Sequence, residues 1–319
     1  MQSLLLIRPA PDKRALRRSL RGKPPSILIG EEETGTRVYP VFLPIAEDMR
    51  VRLTRRAWRR IEELARERGV LFGIAPAIDR RTIANGVFAR GINLLDAEGV
   101  RQYLTITAMD RLFHILGRET AAEIRASVED ADTRWGELWV SFLSGWVRCL
   151  TVSGRGELIE RLQQETLSRD GTVLAVGRRS PADIRIVLSA ESLTGHEGIV
   201  VDGRPAFGGF LPGSLYCGWP DVPEPGGGDI LSPWERSLAG VYHVLGHRFF
   251  SACAPPRDSR SRPDIMGLLK KTGVQIKGFL TDTTVVSFDR MRYQFFEKWS
   301  KSMSDRKKRR LDNCGDHDL

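Results

Sequence analysis

Two histidines and a cysteine near residue 250 are of residue types that bind metal ions. His243 and His247 are four positions apart in a segment predicted to be helical, so both side chains would lie on one helix face. Cys253 follows in the predicted loop. These groups are zinc ligands, but no glutamate follows the first histidine, as it would in a metalloprotease helix. A solvated histidine pair is therefore favoured, and a zinc-dependent enzyme is kept as an alternative.

Alternating arginines make residues 49–69 a second chemically distinctive stretch. In 49–53 apolar and basic residues alternate, which is typical of a half-exposed strand. Arg50 and Arg52 would share one face of that strand, and Thr54 would cap the amphipathic helix that follows. Arginine forms bidentate contacts with guanine and binds phosphates, so this stretch predicts contact with nucleic acid.

The positive charge of the chain lies mainly at its ends. The formal net charge is +9, and residues 1–91 hold 19 Lys and Arg against 10 Asp and Glu. A second basic run lies in the C-terminal tail. Such asymmetry favours a polyanionic partner, with DNA preferred and RNA left open. The tail residues predicted to contact nucleic acid are Lys307, Lys308, Arg309 and Arg310.

The order of elements in residues 47–97 resembles the ribbon-helix-helix family of DNA-binding proteins, the Arc and MetJ type. In that family a strand pairs with its twin from a second chain, and the resulting ribbon lies in the major groove. The resemblance implies a homodimer in which Arg50, Arg52 and Thr54 face the bases. It also implies a phosphate contact at the start of a second helix. The other residues of this predicted interface are Arg55, Arg56, Arg80, Arg81 and Thr82.

Sequence signatures of other function classes are missing. The chain has no phosphate-binding G-x-x-x-x-G-K-[ST] loop, no G-x-G-x-x-G motif and no G-x-S-x-G motif, so we predict no cofactor and do not favour an enzyme. No apolar run approaches the roughly 18 residues that span a bilayer. The four cysteines are scattered without a C-x-x-C pair, which indicates a reducing cytoplasm.

The predicted fold class is α+β, with a ribbon-helix-helix-like β-α-α module before a larger, helix-rich α+β domain. The predicted division is a basic arm with a small strand (1–46), the module (47–99), an α+β domain of open role (100–299) and a basic disordered tail (300–319). Within the large domain we predict helices over 107–116, 119–130, 133–150 and 156–168, strands over 172–176 and 183–188, and a helix that begins after Ser232.

These features lead to one hypothesis and two alternatives. The leading hypothesis is a dimeric, sequence-specific DNA-binding protein, a transcriptional regulator of a plasmid or mobile element. The first alternative is a nucleic-acid-processing or effector-complex subunit that grips the phosphate backbone with its basic ends. A replication initiator, a conjugation accessory and an RNA-guided complex all fit that description. The second alternative is the zinc-dependent enzyme.

Overall fold

The fold is given by a computed structural model, in which the chain forms two compact units. It describes residues 2–10, 14, 26–43, 51–76, 91–133, 135–154, 156–177, 181–189, 198–204, 211–225, 230–254, 264–281 and 284–294. The first unit comprises residues 1–105, 205–210 and 219–276, and the second comprises 106–204, 211–218 and 277–319. Within the described ranges, no helix has the length and apolar character needed to cross a membrane.

The first unit contains a five-stranded sheet in the order β2-β3-β1-β4-β5. Its strands are β1 (Gln2–Pro9), β2 (Ile27–Ile29), β3 (Thr36–Leu43), β4 (Phe72–Ile74) and β5 (Asn93–Leu95). All neighbours pair in parallel except β2, which runs antiparallel to β3. The centre of β1 is a run of fully buried aliphatic residues, as expected for a parallel strand covered on both faces.

Helices cover this first sheet. The helices with residues in the first unit are α1 (Val51–Arg68), the start of α2 (Ala97–Leu116), α6 (Pro233–Ala252) and α7 (Ile265–Thr272). On α1, Trp58, Ile61 and Leu64 recur at helical spacing and are buried in one core cluster with Leu5 and Tyr39 of the sheet. α6 contacts β1, β2 and β5. The amphipathic stripe of α1 therefore closes a core rather than forming a separate module.

The second unit contains a sheet in the order β10-β9-β6-β7-β8, here called the second sheet, in which every pair is parallel. Its strands are β6 (Arg125–Glu129), β7 (Cys149–Val152), β8 (Val173–Val176), β9 (Ile184–Val187) and β10 (Ile199–Asp202). The unit also holds the end of α2, α3 (Arg118–Glu123), α4 (Gly136–Ser144) and α5 (Glu157–Asp170). The remaining strands of the chain are β11 (Cys217–Pro220), β12 (Ile276–Leu280) and β13 (Val285–Ser287).

The two faces of the second sheet differ in polarity. The register places Thr151, Ser127 and Arg185 side by side on one face. Their neighbours along the strands, such as Val128 and Ile186, lie on the other face and are completely buried. The apolar face packs on helices, since α4 contacts β6 and β7 and α5 contacts β8. One face of this sheet is thus an ordinary core, whereas the other carries charged and hydroxyl groups.

Both edges of the second sheet carry additional hydrogen bonds. At the β10 edge, Leu215 forms a parallel bridge with Val201, and its backbone N donates to the Val200 carbonyl at 2.9 Å. At the β8 edge, Gln163 of α5 donates its side-chain amide to the Leu174 carbonyl at 3.0 Å. Some backbone N–H and C=O groups on the outer sides of β8 and β10 therefore already form hydrogen bonds.

The predicted strand over residues 49–53 is wrong where the structure describes it. α1 already begins at Val51, so Val51, Arg52 and Leu53 are helical, and Thr54 lies inside the helix rather than at its N-cap. The reason is that burial of Trp58, Ile61 and Leu64 stabilises the whole helix. This stabilisation outweighs the preference of a five-residue alternating pattern for a strand, since no partner strand is described for it. Residues 49 and 50 lie outside the described ranges.

The predicted mixture of helices and strands is confirmed, but the class is α/β because both large sheets are mainly parallel. The ribbon-helix-helix-like module is not confirmed. Its predicted strand is helical from Val51 onward, and its second helix, predicted from residue 79 to about 97, lies largely outside the described ranges. In the first sheet, β1 lies between β3 and β4, so that sheet is built from both the predicted arm (1–46) and the predicted module (47–99). The four segment boundaries themselves stay predictions.

Several predicted elements are confirmed and others are wrong. The strands over 172–176 and 183–188, the helix over 156–168 and the helix after Ser232 are present. The helix predicted over 119–130 is instead α3 followed by β6, and the one over 133–150 ends at Ser144 before β7 begins. A second helix predicted to extend to residue 97 is contradicted at β5. Short buried strands carry apolar residues that also fit a helical period.

Candidate functional site

The carboxyl edge of the second sheet is the most suitable place for a ligand. The first strand of this unit, β6, lies at its centre. The chain continues to β7 and β8 on one side and then to β9 and β10 on the other. All five carboxyl ends therefore lie at one edge, and the strand order reverses between β6 and β9. Open parallel sheets bind ligands outside their carboxyl ends at such a switch point.

Asp130 occupies this point directly after β6 and has an unusual backbone conformation. Its φ is 56°, and it is the one residue other than glycine with positive φ among the described residues. The neighbouring β7 holds it in place, because Ser153 Oγ accepts a hydrogen bond from the Asp130 backbone N at 2.9 Å. The Ser153 carbonyl accepts another from Ala131 N at 2.7 Å. Aspartate tolerates this left-handed region better than most residues.

The Asp130 carboxylate reaches across the switch point. The hydroxyl of Ser189, just beyond β9, donates a hydrogen bond to Asp130 Oδ2. Asp130, Ser153 and Ser189 thus come from the ends of three adjacent strands, although they are far apart in the sequence. A carboxylate and two hydroxyl groups in this position can accept hydrogen bonds from hydroxyl or ammonium groups.

Two buried ion pairs support the edge. Glu129, the last residue of β6, accepts a hydrogen bond from Arg185 of β9 at 2.8 Å, and both residues are at least nine-tenths buried. At the end of β10, the Asp202 carboxylate accepts hydrogen bonds from Arg204 Nε at 2.9 Å and from Arg204 Nη2 at 3.0 Å. The Asp202 carboxylate also accepts hydrogen bonds from the backbone N of Arg204 at 3.0 Å and from the backbone N of Leu211 at 2.8 Å. These pairs fix the strand ends, and each arginine contacts a carboxylate of the protein.

A cavity of about 330 Å³ lies elsewhere in this unit, beside the first residues of β10 and therefore at the opposite end of that strand. Ile199, Leu215 and Met291 are among its lining residues. The Ser214 hydroxyl in its wall already donates to the Leu211 carbonyl at 2.8 Å. We place the candidate site at the carboxyl edge instead, because polar side chains from three strands converge there.

The structure gives His243 and His247 separate surroundings. His243 Nδ1 is 3.1 Å from Thr36 Oγ1, whereas the His247 ring stacks on Phe72 with ring centroids 4.4 Å apart. Between them, Gly246 leaves the helical conformation with a φ of 66° and kinks α6. In the part of the chain that the structure describes, no group of three or more His, Cys, Asp or Glu side chains could hold a metal ion.

Cys253 is poorly suited to bind a metal. It is completely buried, and burial together with the nearby Asp96 charge raises the pKa of its thiol well above the ordinary value. Zinc binding displaces the thiol proton, and a raised pKa makes that displacement less favourable. Its surroundings are tight, because a Cβ on Gly99 would lie 2.0 Å from the Cys253 carbonyl oxygen.

A pH-dependent loss of stability is expected from Tyr242, next to His243. Burial raises the pKa of Tyr242 from its ordinary value of about 10 to about 12. Between pH 10 and 12 the unfolded chain loses the phenolic proton while the folded chain keeps it, so the free energy of unfolding falls as pH rises. Tyr242→Phe has no such proton. Urea unfolding at pH 7, 9 and 10.5 should show a smaller decrease in Tyr242→Phe than in wild type. Equal decreases would contradict this assignment.

The predicted nucleic-acid contacts do not assemble into one described surface. Arg52, Thr54 and Arg55 belong to the first turns of α1, and Arg56 is exposed on that helix. The other predicted contact residues lie outside the described ranges, namely Arg50, Arg80, Arg81, Thr82, Lys307, Lys308, Arg309 and Arg310.

No protein-family model matches the sequence, and a search of curated proteins finds no match. Among solved structures, ornithine carbamoyltransferase from Pyrococcus furiosus is 12% identical with a TM-score of 0.35, and the match covers 77% of this chain and 84% of that one. Ornithine transcarbamoylase from Giardia lamblia is 12% identical with a TM-score of 0.34, over 77% and 86%. L-tryptophan dehydrogenase from Nostoc punctiforme is 13% identical with a TM-score of 0.30, over 59% of this chain and 56% of that one.

The prediction of a sequence-specific DNA-binding regulator with a nucleic-acid partner is wrong. The segment expected to be the reading strand is helical from Val51 onward, because it is the start of helix α1. At TM-scores below 0.5 the likeness assigns neither an activity nor a substrate to this chain, which spans about half of the dehydrogenase. A function must therefore be argued from the site itself.

Proposed function

We propose that this chain binds a small polar molecule at the carboxyl edge of the second sheet, through hydroxyl or ammonium donors to Asp130. The observation that carries the proposal is the hydrogen bond from Ser189 to Asp130, which joins the strand ends on both sides of the switch point. An ionised carboxylate can accept several hydrogen bonds, so Asp130 can accept from a ligand at this edge in addition to Ser189.

The chemistry of the edge indicates which ligand groups fit. Asp130 offers a carboxylate and can only accept when ionised, so a ligand must donate to it. Ser189 and Ser153 can donate as well as accept, which suits the ligand's neighbouring oxygen atoms. The positive φ of Asp130 points in the same direction, because backbone held in a sparsely populated region is often found at ligand-binding positions.

The test is a thermal-unfolding assay with two probes, adenosine for ribose hydroxyl groups and L-lysine for ammonium groups. A probe at ten times its dissociation constant would stabilise the folded state by about 1.4 kcal/mol and raise Tm by a few degrees. We expect at least one probe to raise Tm of the wild type and to lose this effect in Asp130→Asn. Asparagine tolerates the same backbone conformation, so this variant changes mainly the charge.

The matched control is Asp289→Asn, since Asp289 is an exposed residue of the helical segment 288–294, away from the switch point. It should show the wild-type shift. The proposal fails if neither probe changes Tm of the wild type, or if Asp130→Asn responds as strongly as the wild type does.

A further inference from the structure

The strand order of the second sheet raises the question of a dinucleotide cofactor. A central first strand, two strands added on one side and two on the other is the order found in dinucleotide-binding units. In such units the cofactor's diphosphate lies on a glycine-rich turn between the first strand and the first helix, against the N-terminus of that helix. The corresponding turn here is the segment 130–135 between β6 and α4.

This turn lacks the glycines that allow a diphosphate to approach the backbone. Its sequence from Asp130 is Asp-Ala-Asp-Thr-Arg-Trp, and glycine appears only at Gly136, where α4 begins. That glycine is needed for internal packing, because a Cβ there would lie 2.0 Å from the Ala131 carbonyl oxygen. Ala131 is itself completely buried. At Ala131 and Gly136 the backbone of the turn therefore packs against the protein and leaves no space there for a diphosphate.

Backbone donors of the turn are already used inside the protein. The N–H groups of Asp130 and Ala131 donate to Ser153 Oγ at 2.9 Å and to the Ser153 carbonyl at 2.7 Å. Further on, Thr133 N donates to the Asp130 carbonyl at 3.1 Å, and Gly136 N donates to the Thr133 carbonyl at 2.9 Å. A diphosphate needs several such groups directed at it, and these four point elsewhere.

The charged side chains described in the turn do not favour a diphosphate. They are the carboxylates of Asp130 and Asp132, and negative charge there repels a diphosphate. The nearby guanidinium groups of Arg185 and Arg204 contact Glu129 and Asp202, respectively. Two more arginines of this region, at positions 134 and 155, lie outside the described ranges.

We infer that the second unit has the strand order of a dinucleotide-binding unit but does not bind a nicotinamide dinucleotide. The residues of the first turn do not fit the diphosphate, so no hydride-transfer step is derived for this chain. The inference goes beyond the proposed function, which concerns hydrogen-bond donors at the same edge, and it excludes one class of ligand from that edge.

Fluorescence titration with NADH and NADPH tests the inference on the full-length wild-type chain. We expect no saturable change in nicotinamide or tryptophan fluorescence up to 1 mM of either dinucleotide, a limit on the order of the upper end of ordinary cofactor affinities. Saturable binding with a dissociation constant below about 1 mM, reversed by an excess of the oxidised dinucleotide and lost in Asp130→Asn, would overturn it.

Three variants distinguish the test of dinucleotide binding from the test of the proposed function. If a dinucleotide binds, Asp130→Asn, Arg155→Ala and Asp132→Asn show whether the edge holds it. Loss of binding in Asp130→Asn would overturn the inference and leave a ligand site at Asp130. If no dinucleotide binds while adenosine or L-lysine gives an Asp130-dependent shift, both statements are supported. If neither the dinucleotides nor the two probes bind, the proposed function fails and the exclusion of the dinucleotide stands.

Discussion

Replacing Asp202 by alanine is expected to lower the free energy of unfolding by about 3–5 kcal/mol, the range found when one partner of a buried ion pair is removed. The Asp202 side chain is 1% exposed and accepts bonds from the Arg204 side chain, from Arg204 N and from Leu211 N. Alanine removes all of these contacts at once. The Arg204 guanidinium would stay largely buried without the carboxylate that now neutralises it.

Urea unfolding at pH 7, followed by far-ultraviolet circular dichroism, measures this effect. Asp289→Ala is the matched control, because it removes an exposed aspartate and should change the free energy of unfolding by about 0.5 kcal/mol or less. Asp202→Asn keeps one acceptor oxygen and should fall between wild type and Asp202→Ala. A value for Asp202→Ala within about 1 kcal/mol of wild type would show that the contacts at the end of β10 contribute little.

A loss of similar size, about 3–5 kcal/mol, is expected for Arg185→Ala. The guanidinium of Arg185 contacts Glu129 at 2.8 Å, and both side chains lie on the polar face of the second sheet. Without the arginine, Glu129 keeps a buried charge that has lost this partner. The cost comes from the carboxylate that remains, so it should be relieved when that carboxylate is also removed.

The double variant Glu129→Leu/Arg185→Met tests this explanation. Replacing a buried ion pair by apolar side chains of similar volume is often close to neutral, so most of the stability lost in Arg185→Ala should return. Urea unfolding of wild type, Arg185→Met, Glu129→Leu and the double variant gives the coupling energy directly. If the double variant is as unstable as Arg185→Ala, other contacts on the polar face, and not the buried charge, determine the loss.

Locally encoded features of the fold could be predicted from the sequence. The start of α6 is an example, because Ser232, Pro233 and Glu235 form a capping box within four residues. The structure confirms it with the Ser232 N to Glu235 Oε2 bond at 2.8 Å. The strands β8 and β9 were also predictable, since each is a short run rich in β-branched residues bounded by glycine or proline.

Features that depend on distant partners could not be predicted in this way. Ala121, Ile124 and Val128 recur at helical spacing, and only pairing with β7 and β9 makes residues 125–129 the strand β6. The alternation at Arg50 and Arg52 predicted a strand where the structure has the start of a helix. The local sequence does not reveal that α1 packs against the first sheet, and this packing stabilises the helix.

The candidate site was missed for the same reason. Asp130, Ser153 and Ser189 are ordinary residues in the sequence, and they meet only because three parallel strands end at one edge. A usable signal was present in the pattern, since each of them lies within two residues of the end of a short strand. Correct assignment of β6 and β7 would have placed Asp130 and Ser153 together.

The treatment of the sheet edges has a consequence for self-association. An edge strand exposes backbone groups on which a strand of another molecule can pair, and this is a route to aggregation. On β8, Val173 and Val176 are 60% and 52% exposed, and no charged residue interrupts the strand. A foreign strand could pair along β8 only after the Gln163 amide leaves the Leu174 carbonyl. A helix side chain, Gln163, therefore hinders strand pairing between molecules at the β8 edge. At the opposite edge, the backbone of Leu215 has the same effect, because it is already bridged to Val201 of β10.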